Sequence, residues 1–298
     1  MNNSTSRTSQ TINHLWVITW CTIYGIVAAA TVTGNALTVA VFSKKKLPRK
    51  FGGYFIINLA VADFMVGALA LPMYIYMVYA FVYLPGKNIV TFQQAYTVVD
   101  LFTGLTSVFT MASIAIERLY GVLYPIQYHW RGKRVYVVTI FVVWAISATA
   151  SIVYILSTRS LLYLLPEATF TYYLTVISVL SVLVICVAYV VFVLRVHFWN
   201  KSKMEMVASK QEKRLAAALF VVTVVFVLTW TPFHVMNILA NFTKSFLYKM
   251  PVDLVFFGKL LHYSNSLANP AIYCFKIPEF RIALRRMLCK NWVRETRV

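Results

Sequence analysis

Asn265-Ser266-Leu267-Ala268-Asn269-Pro270-Ala271-Ile272-Tyr273 closes the last of seven apolar stretches in this 298-residue chain. It sets amides, a hydroxyl and a proline where lipid alone would want hydrocarbon. A polar or charged side chain at membrane depth costs a few kcal/mol by insertion scales unless it faces a partner or a wet cavity, so such groups mark function. Working outward, further apolar runs occupy Trp16 to Phe42, Tyr54 to Tyr79, Thr97 to Tyr120, Val135 to Leu156, Thr171 to Phe198 and Leu215 to Leu239, and the quoted stretch ends the run Val252 to Phe275. Each reaches the roughly 20 residues that carry a helix across a hydrocarbon core about 30 Å thick. With 60% hydrophobic and 12% charged residues and a mean hydropathy of +0.71, the chain is far more apolar than a soluble domain, whose apolar share is roughly 45–50%. The fold expected is an all-α membrane protein, a seven-helix bundle with a short amphipathic eighth helix.

The formal net charge of +19 raises the question of nucleic acid, and the placement of the 28 basic residues answers it. Lys44, Lys45, Lys46, Arg49 and Lys50 fill the first even-side loop; Arg118, Arg131, Lys133 and Arg134 surround the second; Arg195, Lys201, Lys203, Lys210, Lys213 and Arg214 fill the third. The tail after Phe275 adds seven more, whereas the other side carries only Arg7, Lys87, Arg159, Lys244, Lys249 and Lys259. Basic loops stay in the cytosol, so the excess is topological and places the amino terminus outside and the carboxyl terminus inside. The organisation expected is an extracellular amino terminus at 1–15, the seven-span domain at 16–275 and a cytoplasmic eighth helix and tail at 276–298, in the plasma membrane and without a nucleic-acid partner. Glycosylation sequons at Asn2, Asn3 and Asn241 fall on the outer side. The first 14 residues lack a short apolar region and cleavage site, so the first span is expected to act as its own signal. Of the four cysteines, none has metal-site or disulfide spacing. Cys289, after a stretch with Arg281, Arg285 and Arg286 on one face, suits palmitoylation of an interfacial helix as well as it suits a free thiol.

Polar residues inside the spans form a pattern. Asp100, Ser107 and Arg118 in the third span lie 7 and 18 residues apart, and at about 100° per residue they return to one face, with Asp100 some 27 Å above Arg118. Glu212 and Trp230 in the sixth span share a face by the same 18-residue offset, which makes Arg118 and Glu212 natural partners at the cytosolic end. Asn35, Asp63, Ser107, Asn265, Ser266 and Asn269 reach mid-membrane from four spans, one carboxylate among neutral oxygens, a candidate site for a hydrated cation. Pro232 and Pro270 each remove a backbone donor inside a span and free a carbonyl that another group must satisfy.

These residues, in order, resemble the rhodopsin-like, class A, G-protein-coupled receptors. The resemblance rests on Gly34-Asn35, Leu59-Ala60-Val61-Ala62-Asp63, Glu117-Arg118-Leu119, Trp144, Tyr189, Phe226 with Trp230-Thr231-Pro232, and Asn269-Pro270-Ala271-Ile272-Tyr273. It implies a sodium pocket at Asp63, Ser107, Asn265, Ser266 and Asn269, with Asp63 as the metal-binding carboxylate and no other cofactor. It implies an activation switch at Trp230, Phe226, Pro232, Tyr189, Pro270 and Tyr273, and a latch in which Glu117 and Glu212 hold Arg118 until the sixth span swings outward for a heterotrimeric G protein. Membrane lipids and an extracellular ligand complete the expected partners. The pattern departs from the family at Leu119, at Ser181 in place of a fifth-span proline, and at Gln93, where the cysteine that tethers the second outer loop is absent.

By the same resemblance, Asp100 matches the position where biogenic-amine receptors hold the ligand ammonium and Tyr263 the tyrosine that supports that carboxylate; Gly104 and Phe233 are expected to line the pocket, and His234 either lines it or fills the bundle as an aromatic-sized side chain. Lys259, one turn outward from Tyr263, could neutralise Asp100 internally. A cationic amine and a peptide or lipid therefore both stand as ligand classes. A light-sensing opsin fits poorly, because Tyr263 occupies the Schiff-base position. A seven-helix transporter using Asp63, Asp100 and Lys259 as an ion path would not need Glu117-Arg118 and Glu212 in register. An enzyme is excluded, since no nucleophile falls beside a base.

Overall fold

The computed structural model describes residues 14–43, 53–84, 89–158, 167–198, 210–242 and 250–295. Every element among them is helical: α1 (His14–Ser43), α2 (Gly53–Met65), a π-helical turn (Val66–Ala70), α3 (Leu71–Tyr83), α4 (Val90–Leu123), α5 (Pro125–His129), α6 (Lys133–Thr158), α7 (Glu167–Phe198), α8 (Lys210–Phe242), α9 (Val252–Lys276) and α10 (Pro278–Glu295). The second span is α2, the π turn and α3 together; α4 is the third span and α9 the seventh. Among the described residues, five helices are long and apolar enough to cross a membrane by composition alone. The described apolar stretch of α7 is the shorter Val179–Phe192. α9 has the length, at 25 residues, but buries Lys259, Asn265, Ser266 and Asn269, so its polarity is the signature of a helix facing protein.

The bundle closes by α8 packing along α9, α4 along α6 and α7, and α1 along both α2 and α9. Exposed side chains such as Ile18, Phe141, Val187 and Leu228 face outward, and the buried face of each span carries the hydroxyls and amides. This inversion follows from the solvent: lipid is as apolar as leucine, so helix association rests on packing and on hydrogen bonds between spans. Two devices bring helices close. Gly34 on α1 faces Pro270 on α9, and a Cβ at Gly34 would lie 3.1 Å from the proline ring. Beside it, Asn35 donates from Nδ2 to the Ser266 carbonyl at 2.9 Å, the carbonyl four residues before Pro270 that loses its intrahelical donor. Pro72 has the corresponding effect on the second span. It cannot donate, and the chain relaxes into the π turn Val66–Ala70, closed by Leu71 N–H donating to the Val66 carbonyl.

Several expectations are adjusted. α1 begins at His14 and the last span ends at Lys276, one or two residues beyond the apolar runs. α4 begins at Val90, seven residues before Thr97, so Gln93 and Tyr96 belong to its first two turns. α10 runs on to Glu295, past the expected stretch Pro278 to Leu288. Lys259, counted above with the outer-side charges, is a correction: it is buried within the bundle at 4% exposure, because Asp100 and a ring of aromatic side chains receive it. Asn2 and Asn3 lie outside the described residues; Glu212 and Asn241 fall on α8 and Cys289 on α10, with their side chains outside the described ones.

Asn35→Leu keeps the branched outline of the side chain and removes the donor to Ser266. It is expected to destabilise the purified protein by about 1–3 kcal/mol, the cost of a buried carbonyl left bare, read as a drop in thermal midpoint in nanodiscs. An unchanged midpoint would show that this carbonyl finds another donor.

Candidate functional site

At mid-depth, Asp63 is fully buried. Its Oδ1 accepts from Ser107 Oγ on α4 at 3.0 Å and from Ser266 Oγ on α9 at 2.8 Å, and its Oδ2 accepts from Asn269 Nδ2 at 2.7 Å. Three donors from two spans thus converge on one carboxylate, as the sequence suggested. Among the described residues, the buried amide oxygens Asn35 Oδ1 and Asn269 Oδ1 have no hydrogen-bond partner. A carboxylate, hydroxyls and orphan amide oxygens make a hard-oxygen set that fits a small hard cation; no cluster of three or more His, Cys, Asp or Glu among the described residues suggests a softer metal. Asn265 is buried in the same layer. To one side, Asn58 donates to Thr110 Oγ1 at 2.7 Å and accepts from Trp144 Nε1 at 2.7 Å, tying α2, α4 and α6 together.

Two turns outward the bundle holds an ion pair. Lys259 Nζ lies 2.7 Å from Asp100 Oδ2, and Tyr263 donates to Asp100 Oδ1 at 2.9 Å. Tyr263 and Tyr96 hydroxyls meet at 2.8 Å. The ammonium sits 4.4 Å from the Phe233 ring centre and 4.8 Å from that of Tyr263, within the range in which an aromatic face attracts a cation. The carboxylate expected to anchor a ligand is therefore paired inside the molecule. Below the pair, a narrow cavity reaches from Asp100 and Gly104 to Trp230, His262 and Ser266. A Cβ at Gly104 would meet nothing within 4 Å, so the missing side chain leaves open space one turn below Asp100. His234 lies tilted against Trp230 with ring centres 3.6 Å apart, and Phe226 stacks on Trp230 at 5.3 Å. Pro232 lies inside α8 between Trp230 and Phe233.

At the inner end Arg118 Nε is 2.8 Å from Glu117 Oε2, both side chains buried. Glu117 Oε1 also accepts from Tyr128 on α5 at 2.6 Å and from Tyr136 on α6 at 3.3 Å. Burial, opposed by Arg118 and aided by Glu117, raises the Tyr128 phenol above its ordinary value, so it remains a donor through the physiological range. Tyr189 and Tyr273 are buried near the same end.

Some of this arrangement escaped the sequence reading. His262 stacks on Trp230 at 5.5 Å, yet a histidine on an apolar helix gives no periodic signal of its own. Tyr128 and Tyr136 hold Glu117 from a loop helix and a neighbouring span, and no spacing within one helix reveals a bond across two. At the outer rim, Trp16 and Trp20 both donate to Asp253 Oδ1, at 2.6 and 3.1 Å, clipping α1 to α9; their i, i+4 spacing puts both indoles on one face, and nothing near them in sequence points to Asp253.

Comparison with known proteins agrees with this architecture. The family model described as 7 transmembrane receptor (rhodopsin family) matches residues 34–273. The chain is 25% identical to the neuromedin-K receptor of Mus musculus over 94% of its own length and 65% of that receptor's. It is 27% identical to the somatostatin receptor type 5 of Bos taurus over 90% of its length and 75% of that receptor's, and 24% identical to the adenosine receptor A2b of Gallus gallus over 89% and 86%. It thus spans just under two thirds of the neuromedin-K receptor. Receptors named for three different ligands match to nearly the same degree.

Tyr128→Phe removes one donor to a buried carboxylate. The expected loss is about 1.5–3 kcal/mol, the range for hydrogen bonds to charged groups, measured as thermal stability beside Tyr124→Phe, whose side chain is exposed and whose loss should change little.

Proposed function

Because this chain belongs to the rhodopsin family of 7 transmembrane receptors, we propose that it binds an extracellular ligand in the outer cavity around Asp100, Gly104, Phe233, His234, Lys259 and Tyr263 and activates a heterotrimeric G protein at its cytosolic face. It is a multi-pass membrane receptor and not an enzyme. The observation that supports the signalling reading most is the buried Glu117–Arg118 pair at 2.8 Å. It lies on the same helix, α4, that carries Asp100 at its outer end, so one rigid element touches both the ligand cavity and the inner mouth.

The mechanism then follows from the chain's own groups. Arg118 is held by Glu117, itself oriented by Tyr128 and Tyr136. In the resting state Glu212 on α8 supplies a second carboxylate. A ligand that shifts the Phe233–Trp230–Phe226 stack turns α8 about Pro232, the helix position lacking a backbone donor. The cytosolic end of α8 moves outward, Arg118 is released toward the G protein, and Tyr189 and Tyr273 turn into the gap. Such a change is a population shift between two packed arrangements, driven by the ligand's differential affinity for them. Asp63, with Ser107, Asn265, Ser266 and Asn269, would hold a hydrated sodium ion, whose chemistry is to neutralise the buried carboxylate. The amino terminus faces outward with Asn2, Asn3 and Asn241 open to glycosylation, Cys289 anchors α10 by palmitoylation, and the receptor works in the plasma membrane.

Nucleotide exchange on a panel of purified Gα subunits, with the full chain in nanodiscs, tests this directly. Exchange is expected with at least one subunit, and Arg118→Ala should lower it more than tenfold. Ion flux through proteoliposomes without any exchange would point to a transporter and overturn the reading. Sodium is expected to raise the thermal midpoint, with Asp63→Asn abolishing that rise; an equal rise in the variant would place sodium elsewhere.

A further inference from the structure

We propose that the outer cavity selects a zwitterionic ligand, one carrying an ammonium and a carboxylate together, which inserts between Asp100 and Lys259 and exchanges partners with both. The inference rests on the proposed ligand-binding role of this cavity and goes on to name its ligand chemistry.

Asp100 and Lys259 face each other at 2.7 Å from α4 and α9. The carboxylate also accepts from Tyr263, and the ammonium is lodged against Phe233 and Tyr263 with 4% exposure. The chain thus supplies its own cation to the carboxylate. A ligand bearing only an amine would have to evict Lys259 and leave two cations competing for one anion beside an aromatic lining. A ligand bearing only a carboxylate would strand Asp100 in the same way. Lys259 is buried and Asp100 half-buried, and removing one partner of such a pair is costly, because the remaining charge loses its counter-ion with little water to replace it. A ligand with both groups avoids it: its ammonium replaces Lys259 at Asp100, its carboxylate takes Lys259, and each charge keeps an opposite neighbour.

Neutral ligands have a different difficulty. With the pair closed, the cavity beneath it is water-sized, so occupancy requires α4 and α9 to part at this level, and a neutral molecule brings nothing to hold the separated charges. The same geometry couples insertion to the rest of the bundle. The ammonium's nearest aromatic contact, Phe233, adjoins Pro232 on α8, so drawing Lys259 toward a ligand carboxylate withdraws a cation from the ring next to the hinge. Once the helices part, the absence of a side chain at Gly104 lets the ligand's remaining atoms extend below Asp100.

The test is a thermal-shift panel on the full chain in nanodiscs, independent of any G protein. Free α- and ω-amino acids are each compared with their decarboxylated amine and their N-acetylated acid at millimolar concentration. At least one amino acid is expected to raise the midpoint while its matched amine and acid bind at least tenfold more weakly. Lys259→Met and Asp100→Asn should lose that response, and the double swap Asp100→Lys with Lys259→Asp should recover part of it, which guards against single variants that merely fold badly. An amine that stabilises as well as its parent amino acid, an undiminished response in Lys259→Met, or no response to any amino acid would each overturn the inference. Stabilisation by an amino acid without nucleotide exchange would support this ligand class and sink the transducer reading; exchange driven by a plain amine would do the reverse.

Discussion

A single carboxylate in the middle of a hydrocarbon slab has to be answered by donors, and the answer aligns the bundle. Asp63 draws Ser107 from α4 and Ser266 with Asn269 from α9. Both α4 and α9 are odd-numbered crossings, so they run in the same direction. Seven residues toward the outer face from Ser107 stands Asp100, and seven residues outward from Ser266 stands Lys259. Seven residues is about two turns on either helix, so the bonds that neutralise the mid-membrane carboxylate also bring the outer carboxylate level with the outer ammonium. The mid-membrane layer works as a register pin, and the ion pair above it is a consequence of that register.

The two charged devices at opposite ends of α4 are built differently. At the inner end, Glu117 and Arg118 are neighbours in sequence, and two tyrosines from α5 and α6 complete the shell of the acid. At the outer end, Asp100 and Lys259 lie 159 residues apart in sequence, and the shell is aromatic. Buried ion pairs contribute little net stability against apolar replacements of the same size, yet breaking one partner is expensive. Such pairs are therefore poor glue and effective selectors: they define which change in charge the structure tolerates. Between them, the stack of Phe226, Trp230, His234 and His262 is joined by ring contacts rather than directional bonds, with His234 Nε2 and His262 Nδ1 buried and without a hydrogen-bond partner.

Much of this was legible in the residues. The seven runs and the convergence of Asp63 with Ser107, Ser266 and Asn269 follow from polar side chains on otherwise apolar helices, where each exception to hydrophobicity needs a partner; the support of Asp100 by Tyr263 was implied by the family resemblance. The role of Asn35 was half-visible, since Pro270 frees a carbonyl whose need can be foreseen while its donor cannot. What stayed hidden shares one cause. Tyr128 and Tyr136 on Glu117, Tyr96 on Tyr263 and His262 on Trp230 are amphipathic rings, at home either in lipid or in the core, so neither periodicity nor hydropathy tells which way they face. The early start of α4 hid Tyr96 further, because polar residues at a helix mouth look like loop.

The chain alone determined that it crosses the membrane seven times and which few polar groups must be buried, since hydrocarbon cannot hydrogen-bond and each of these choices is local to one helix. Only the tertiary structure decided who answers whom: that Lys259 lies inside rather than at the outer water, that Asn35 caps Ser266, and that Glu117 is shared among Arg118, Tyr128 and Tyr136. Partner choice depends on the relative rotation and height of separate helices. Those are set by packing across the whole bundle, and no single helix contains that information.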